Sequence, residues 1–239
     1  MKQFGIYIHW PFCEFKCPYC DFNSHVEESI DEGRWLAAYL SELNRYANTT
    51  SKRTVTSIFF GGGTPSLMGS ETLGEIIKVI SDRWNLCKNA EITLEANPSS
   101  AEKNKFIEFK QNGVTRLSLG VQSLDEDSLV FLGRKHSVLE AKEAAVLASE
   151  VFDRFSLDVI YGLPGQSPTK WKRELAEILK LVTTHISAYQ LTIEPGTKFY
   201  RDKVRTGGEA VEKKMFDYTY EFLEKKNLNA YEISNFAKP

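Results

Sequence analysis

Cysteine is scarce in this chain, at four of 239 residues, too few and too unevenly placed for the disulfide framework of a secreted domain. Charge of one sign is also missing. A net charge of −2 withholds the basic footprint of a nucleic-acid binder. Peripheral membrane contact stays open, without a motif that points to it. No apolar run approaches the roughly 20 residues that a membrane-spanning helix needs. Met1-Lys2-Gln3 leads straight into a strand pattern, with no apolar leader. The expected address is therefore the cytoplasm, with an organellar matrix open if a transit peptide is removed. Both nucleotide fingerprints are absent as well: the longest glycine run ends Gly63-Thr64-Pro65, which is neither a phosphate loop nor a Gly-x-Gly-x-x-Gly turn.

What is present is alternation. Apolar, β-branched or aromatic runs at 5–9, 55–60, 92–96, 116–121, 156–161 and 186–191 predict strands. Their near-continuous apolar character suits parallel strands covered on both faces. Helical periodicity falls between them, over 31–46, 70–84, 99–111, 125–132 with 138–149, and 169–182, and again over 209–226. Ser70 ahead of Glu71 marks a helix start, and Asn112-Gly113 marks a helix end. About six βα units on this scale make either a doubly wound sheet or a barrel. Polar or glycine-rich residues follow every strand, and ligands on parallel α/β folds gather at those carboxyl ends. Six suggestive strand ends around one mouth favour an α/β fold built as an incomplete (βα)6 barrel.

Three of the four cysteines stand in Cys13-Glu14-Phe15-Lys16-Cys17-Pro18-Tyr19-Cys20. Three soft thiolates within eight residues suit an iron–sulfur cluster with one iron left for an exchangeable ligand. Zinc is the rival metal, although it prefers a closed tetrahedral site and only Asp21 and His25 stand nearby as a fourth ligand. A disulfide with a spare thiol is a further alternative. Cys87, at the end of the predicted 70–84 helix, reads as a half-buried free thiol.

Around these cysteines other residues invite a ligand. Gly61-Gly62-Gly63-Thr64-Pro65 would let backbone groups approach one without interference from a Cβ, though a tight βα turn explains it equally. Glu95 and Asp158 are charges in strand segments, costly there unless partnered. Each suits a structural base, a ribose hydroxyl or an ammonium group. Arg134 could clamp a carboxylate, while its local context favours a helix C-terminal dipole partner.

The triplet, with Tyr19 ahead of the last cysteine, resembles the signature of the radical S-adenosylmethionine (radical SAM) superfamily. The runs Tyr7–Cys13, Phe60–Ser66, Gly120–Ser123, Asp158–Pro164 and Leu191–Thr197 look like its oxygen-independent coproporphyrinogen III oxidase group. The true oxidase carries a fourth cysteine two residues after the third. Here that position is Phe22, and Cys20-Asp21-Phe22-Asn23-Ser24 is similar to the HemW branch of heme chaperones.

The resemblance implies a [4Fe-4S] cluster on Cys13, Cys17 and Cys20. It implies S-adenosyl-L-methionine contacts at Tyr7, Tyr19, Gly62, Gly63, Thr64, Glu95, Gln122, Arg134 and Asp158, with Gln190 less firmly matched. It also implies heme, a heme-accepting partner protein and an electron donor, while the charge balance leads us to expect no nucleic acid. Residues 1–230 would form the core barrel and 231–239 the start of a largely missing C-terminal region. The branch's His-Asn-x-x-Tyr-Trp motif is not in this sequence. The alternative is an oxidoreductase acting on a tetrapyrrole, of coproporphyrinogen III dehydrogenase type. Phe216, Tyr218, Tyr220 and Phe222 are candidates for an exposed apolar face of the last helix, or for its packing face.

Overall fold

Each predicted strand becomes a strand, and each lies parallel to the one before it. A computed structural model describes residues 2–99, 105–181 and 184–239. Strand β1 (Gln3–Trp10) pairs with β4 (Thr54–Gly62), then β5 (Asn85–Ala96), β6 (Arg116–Gln122), β7 (Arg154–Tyr161) and β8 (His185–Gln190) follow in order, all parallel. At the far edge β10 (Asn235–Ala237) runs antiparallel to β8 and carries β9 (Asn229–Ala230) outside it. The two-residue strands β2 (Phe12–Cys13) and β3 (His25–Val26) form a separate parallel pair that brackets the cysteine loop. The sheet does not close on itself, since β1 and β9 are its two edges. This is the incomplete α/β barrel that the alternation predicts.

The crossovers are helical: α1 (Glu32–Thr50), α2 (Ser70–Arg83), α3 (Phe106–Gln111), α4 (Glu126–Phe131) with α5 (Val138–Val151), and α6 (Pro168–Ile178). The short α7 (Lys198–Arg201) and the long α8 (Glu209–Glu224) come after β8. Local chemistry sets several starts. The Asp31 carboxylate accepts from Arg34 N, Ser137 and Glu140 form a capping box, and Ser167 caps α6 with Pro168 behind it. Helix α2 starts at Ser70, where its sequence signal places it. Its cap is Gly69, and the carboxylate of Glu32, from α1, accepts from Gly69 N at 3.0 Å and from Thr72 Oγ1 at 2.8 Å. A neighbouring helix thus supplies the acceptor that local sequence did not. Gly113 ends α3 at φ +105°, where only glycine sits without strain. Of the helix expected over 99–111, residues 100–104 lie outside those described.

Leu94, Leu117, Leu119, Leu157, Val159, Ile186 and Ala188 face the helices and are buried, and each large side chain so covered contributes about 1.5–3 kcal/mol. The opposite, lumen face is polar. Thr93, Arg116, Ser118, Ser156 and Ser187 are buried there, so the strands are not apolar on both faces as expected. Strand β5 begins at Asn85, well before the expected 92, because Asn85 and Leu86 already pair with Thr54 and Val55. Cys87 consequently sits in a strand and is exposed, not half-buried at a helix end. The aromatics of α8 do not form a bare face. Tyr218, Tyr220 and Phe222 pack against the core, and Thr219 Oγ1 accepts from Trp171 Nε1 at 2.8 Å. No helix among the described residues is long and apolar enough to cross a membrane.

Candidate cofactor site

The loop after β1 carries all three clustered cysteines, and tertiary contacts hold it in place. Its entry is stitched to the glycine turn after β4: Gly63 N donates to Trp10 O and Thr64 N to Phe12 O, both at 2.7 Å. A Cβ on Gly63 would lie 2.8 Å from the Phe12 carbonyl carbon. These glycines therefore make room for the chain leading into the cysteines, a role distinct from the ligand approach read from the sequence. At the loop's middle, Phe199 N of α7 donates to Pro18 O at 2.9 Å, and Pro18 lies against Gly133. Lys16 Nζ donates to Ser24 Oγ at 2.8 Å and closes the loop's exit.

The loop roofs a cavity of about 350 Å³ at the carboxyl ends of the strands. Cys13, Cys17 and Cys20 are free, half-buried thiols on its wall. Tyr19, Gly63, Thr64, Glu95, Gln122, Arg134, Asp158 and Gln190 line the same space. Tyr7 and Gly62 lie outside that lining. Tyr7 is 57 % exposed on the edge strand, with its hydroxyl 3.3 Å from His9 Nδ1. Gly62 stands behind Glu95, its N–H donating to Glu95 Oε2 at 3.2 Å. Tyr19 packs on the small apolar cluster of Leu132, Ile160, Leu163, Leu191 and Phe199.

Arg134 corrects the local reading. It is not a dipole partner at the end of α4 but a cavity residue. Its Nη1 donates to Cys17 Sγ at 3.5 Å, and its Nη2 donates to Gly120 O at 3.0 Å and to Asn97 Oδ1. Its buried Nε has no protein partner. A half-buried guanidinium with a donor to spare suits an anionic group in the cavity.

The two carboxylates meet in this space without a salt bridge. Burial, followed by the negative charge of Asp158, pushes the Glu95 carboxyl up to about 7, against the Gly62 N–H. Burial also raises Asp158, opposed by the hydroxyls of Ser118, Ser187 and Ser156 and by the Arg116 charge. Ser118 Oγ donates to Asp158 Oδ2 at 2.8 Å, and Arg116 Nη2 donates to Ser156 Oγ at 2.9 Å. Sequence reading passed over Ser118 and Tyr189, both of which line the cavity. The period-two polar pattern of Arg116-Leu117-Ser118-Leu119-Gly120 was the available signal.

A soft, all-thiol donor set beside two half-buried acids and a guanidinium fits an iron–sulfur cluster with a zwitterionic, cationic ligand. Among the described residues, no group of three or more His, Cys, Asp or Glu side chains is drawn together closely enough to cage a single metal ion.

Residues 7–182 match the Radical SAM superfamily. Heme chaperone HemW of Escherichia coli (strain K12) is 40% identical over 242 residues, which cover all of this chain and 64% of that protein. The mitochondrial radical S-adenosyl methionine domain-containing protein 1 of Danio rerio is 37% identical over 239 residues, 98% of this chain and 54% of that protein. The chain thus spans between about half and two thirds of the length of these curated relatives. Among solved structures, the E. coli coproporphyrinogen III oxidase HemN superposes with a TM-score of 0.88 at 23% identity, over all of this chain and 56% of that one. Motif, cavity and family match agree: the chain belongs to the radical SAM superfamily.

Proposed function

We propose that Cys13, Cys17 and Cys20 hold a [4Fe-4S] cluster, that S-adenosylmethionine occupies the cavity beneath it, and that the whole protein serves as a heme chaperone delivering heme to acceptor proteins. The observation that carries this reading is the convergence of three free thiols, Arg134 and two half-buried carboxylates on one cavity. Bound together, cluster and S-adenosylmethionine supply one-electron chemistry. The chain's own residues bind and orient. Arg134 offers donors to a carboxylate, Glu95 and Asp158 offer negative charge to an ammonium or sulfonium group, and Tyr19 closes one wall over an apolar cluster. The chaperone reading rests on the relatives named HemW and on Phe22 at the oxidase's extra cysteine position. An electron donor and a heme-accepting protein are the partners it calls for. The cytoplasm is the address we assign, where thiols stay reduced.

Anoxic reconstitution tests the first step. The unaltered chain should take up iron and sulfide and bind S-adenosylmethionine in equilibrium dialysis, while Cys17→Ala should lose both. Full iron uptake by Cys17→Ala would overturn the ligand assignment. Heme transfer to an apo-acceptor, measured by its Soret band, tests the chaperone role. Conversion of coproporphyrinogen III to protoporphyrinogen would replace that role with the oxidoreductase.

A further inference from the structure

Two buried polar side chains outside the cavity, Gln166 and Glu174, join the two loops that shape it. Glu174 is buried on the inner side of α6. Its Oε1 accepts from Leu124 N at 2.9 Å and from Ser123 Oγ, and its Oε2 accepts from Gln166 Nε2 at 3.2 Å. Gln166 Oε1 in turn accepts from Gly162 N at 2.8 Å and Leu163 N at 3.2 Å. One carboxylate and one amide thus tie the turn after β6 to the turn after β7. A buried carboxylate is costly unless hydrogen-bonded. Among the described residues it forms no salt bridge, and the nearby Lys170 pairs with Asp125 at 2.8 Å.

Each tied loop delivers a residue to the site. Gln122, directly before Ser123, lines the cavity at φ +66°, a left-handed conformation that a non-glycine residue keeps only when its surroundings hold it there. Leu163 lies in the apolar cluster that supports Tyr19. We infer that Gln166 and Glu174 are positioning residues for the cofactor cavity, a clasp that holds Gln122 against the ligand and Leu163 beneath Tyr19. This rests on the reading above that the cavity takes S-adenosylmethionine.

The donor pattern gives a sharp test. In Glu174→Gln an NH2 replaces Oε2 and faces the NH2 of Gln166. If Gln166 flips to meet it, its own NH2 then faces the N–H groups of Gly162 and Leu163. In Gln166→Glu two carboxylates meet where one amide donated. The reciprocal double variant repairs both faults. Its carboxylate at position 166 accepts from Gly162, from Leu163 and from the new amide at position 174, and the carbonyl of that amide accepts from Ser123 and Leu124. The anoxically reconstituted chain and its variants would be compared by amide hydrogen exchange and by S-adenosylmethionine dialysis, well below their unfolding temperatures. Each single variant should speed exchange at amides 124, 162 and 163 about tenfold and weaken S-adenosylmethionine binding about tenfold, as expected for losing a hydrogen bond to a charged group. The double variant should restore both, with cluster content unchanged throughout. Ser123→Ala, a milder change, should move both readouts in the same direction if the single variants fail to fold.

Wild-type exchange and affinity in the single variants would overturn the clasp. So would a double variant no better than the worse single. Loops that loosen without loss of affinity would remove the positioning role. If the unaltered chain itself takes up no S-adenosylmethionine, the ligand reading fails and the positioning role with it, while reciprocal rescue of exchange would still show the two loops tied.

Discussion

Arg134 Nη1 points at Cys17 Sγ across 3.5 Å, joining the end of α4 to the middle of the cysteine loop. The same guanidinium satisfies Gly120 O, at 3.0 Å, and Asn97 Oδ1, so one side chain references the cysteines to the ends of β5 and β6. Arg134→Met would remove the charged donor shared by Gly120 O and Asn97 Oδ1, at a cost of about 1.5–3 kcal/mol for each hydrogen bond. Urea unfolding should show a lower midpoint at unchanged slope. S-adenosylmethionine affinity should fall further than stability alone explains, and an unaltered affinity would remove Arg134 from the binding surface.

Gly63 is the tightest point of the cysteine-loop entry. Gly63→Ala forces a methyl against the Phe12 backbone, 2.8 Å from its carbonyl carbon and 2.9 Å from its nitrogen. Backbone cannot swing aside as a flexible side chain can, so the expected loss is about 1–3 kcal/mol. Because Phe12 leads directly into Cys13, iron uptake on anoxic reconstitution should drop with it. Full iron uptake at wild-type stability would show that the entry tolerates displacement.

Glu95 makes stability depend on pH. Its folded value near 7, set by burial and then by Asp158, lies above the unfolded carboxylate value, so the folded state holds the proton more tightly. That stabilisation is complete below the unfolded value and is lost as pH rises from about 4.5 to 7, by on the order of 1–3 kcal/mol. His136 and His185, both pushed down to about 4 by burial and then by nearby arginines, act in the opposite sense over much of this window. The difference between wild type and Glu95→Gln in urea titrations isolates the carboxyl. That difference should grow with pH and level off above 7. A flat difference would mean that Glu95 is not held protonated.

Ser118 carries part of the Asp158 carboxylate, donating to Oδ2 at 2.8 Å. Ser118→Ala should lose about 1.5–3 kcal/mol, the range for a hydrogen bond to a charged group. Ser118→Ala combined with Asp158→Asn should lose less than the sum, since the second change removes the charge that the first leaves unsupported. Strict additivity in that cycle would show that the pair is uncoupled.

The alternation of elements, the six-strand count and the cysteine loop could all be read from the chain, because each rests on near neighbours. Strand and helix periodicities repeat within a few residues, and three thiols in eight positions share a loop in any fold. Phe22 likewise spoke from its place two residues after Cys20. The local reading of Arg134 as a helix dipole partner, unlike the ligand contact that the family resemblance implies, fails for the opposite reason. Its neighbours suggest a helix end, and only the meeting of three strand ends turns it toward Cys17, 117 residues away. The lumen escaped for a related reason. Asp158 reads as a charge in an apolar run until β6 and β8 bring Ser118 and Ser187 beside it. The glycine turn, Glu32 over α2, and the Gln166–Glu174 tie belong to the same class. Short-range periodicity and covalent spacing are written in the chain, whereas which buried polar groups satisfy one another follows from packing distant segments at contact distance.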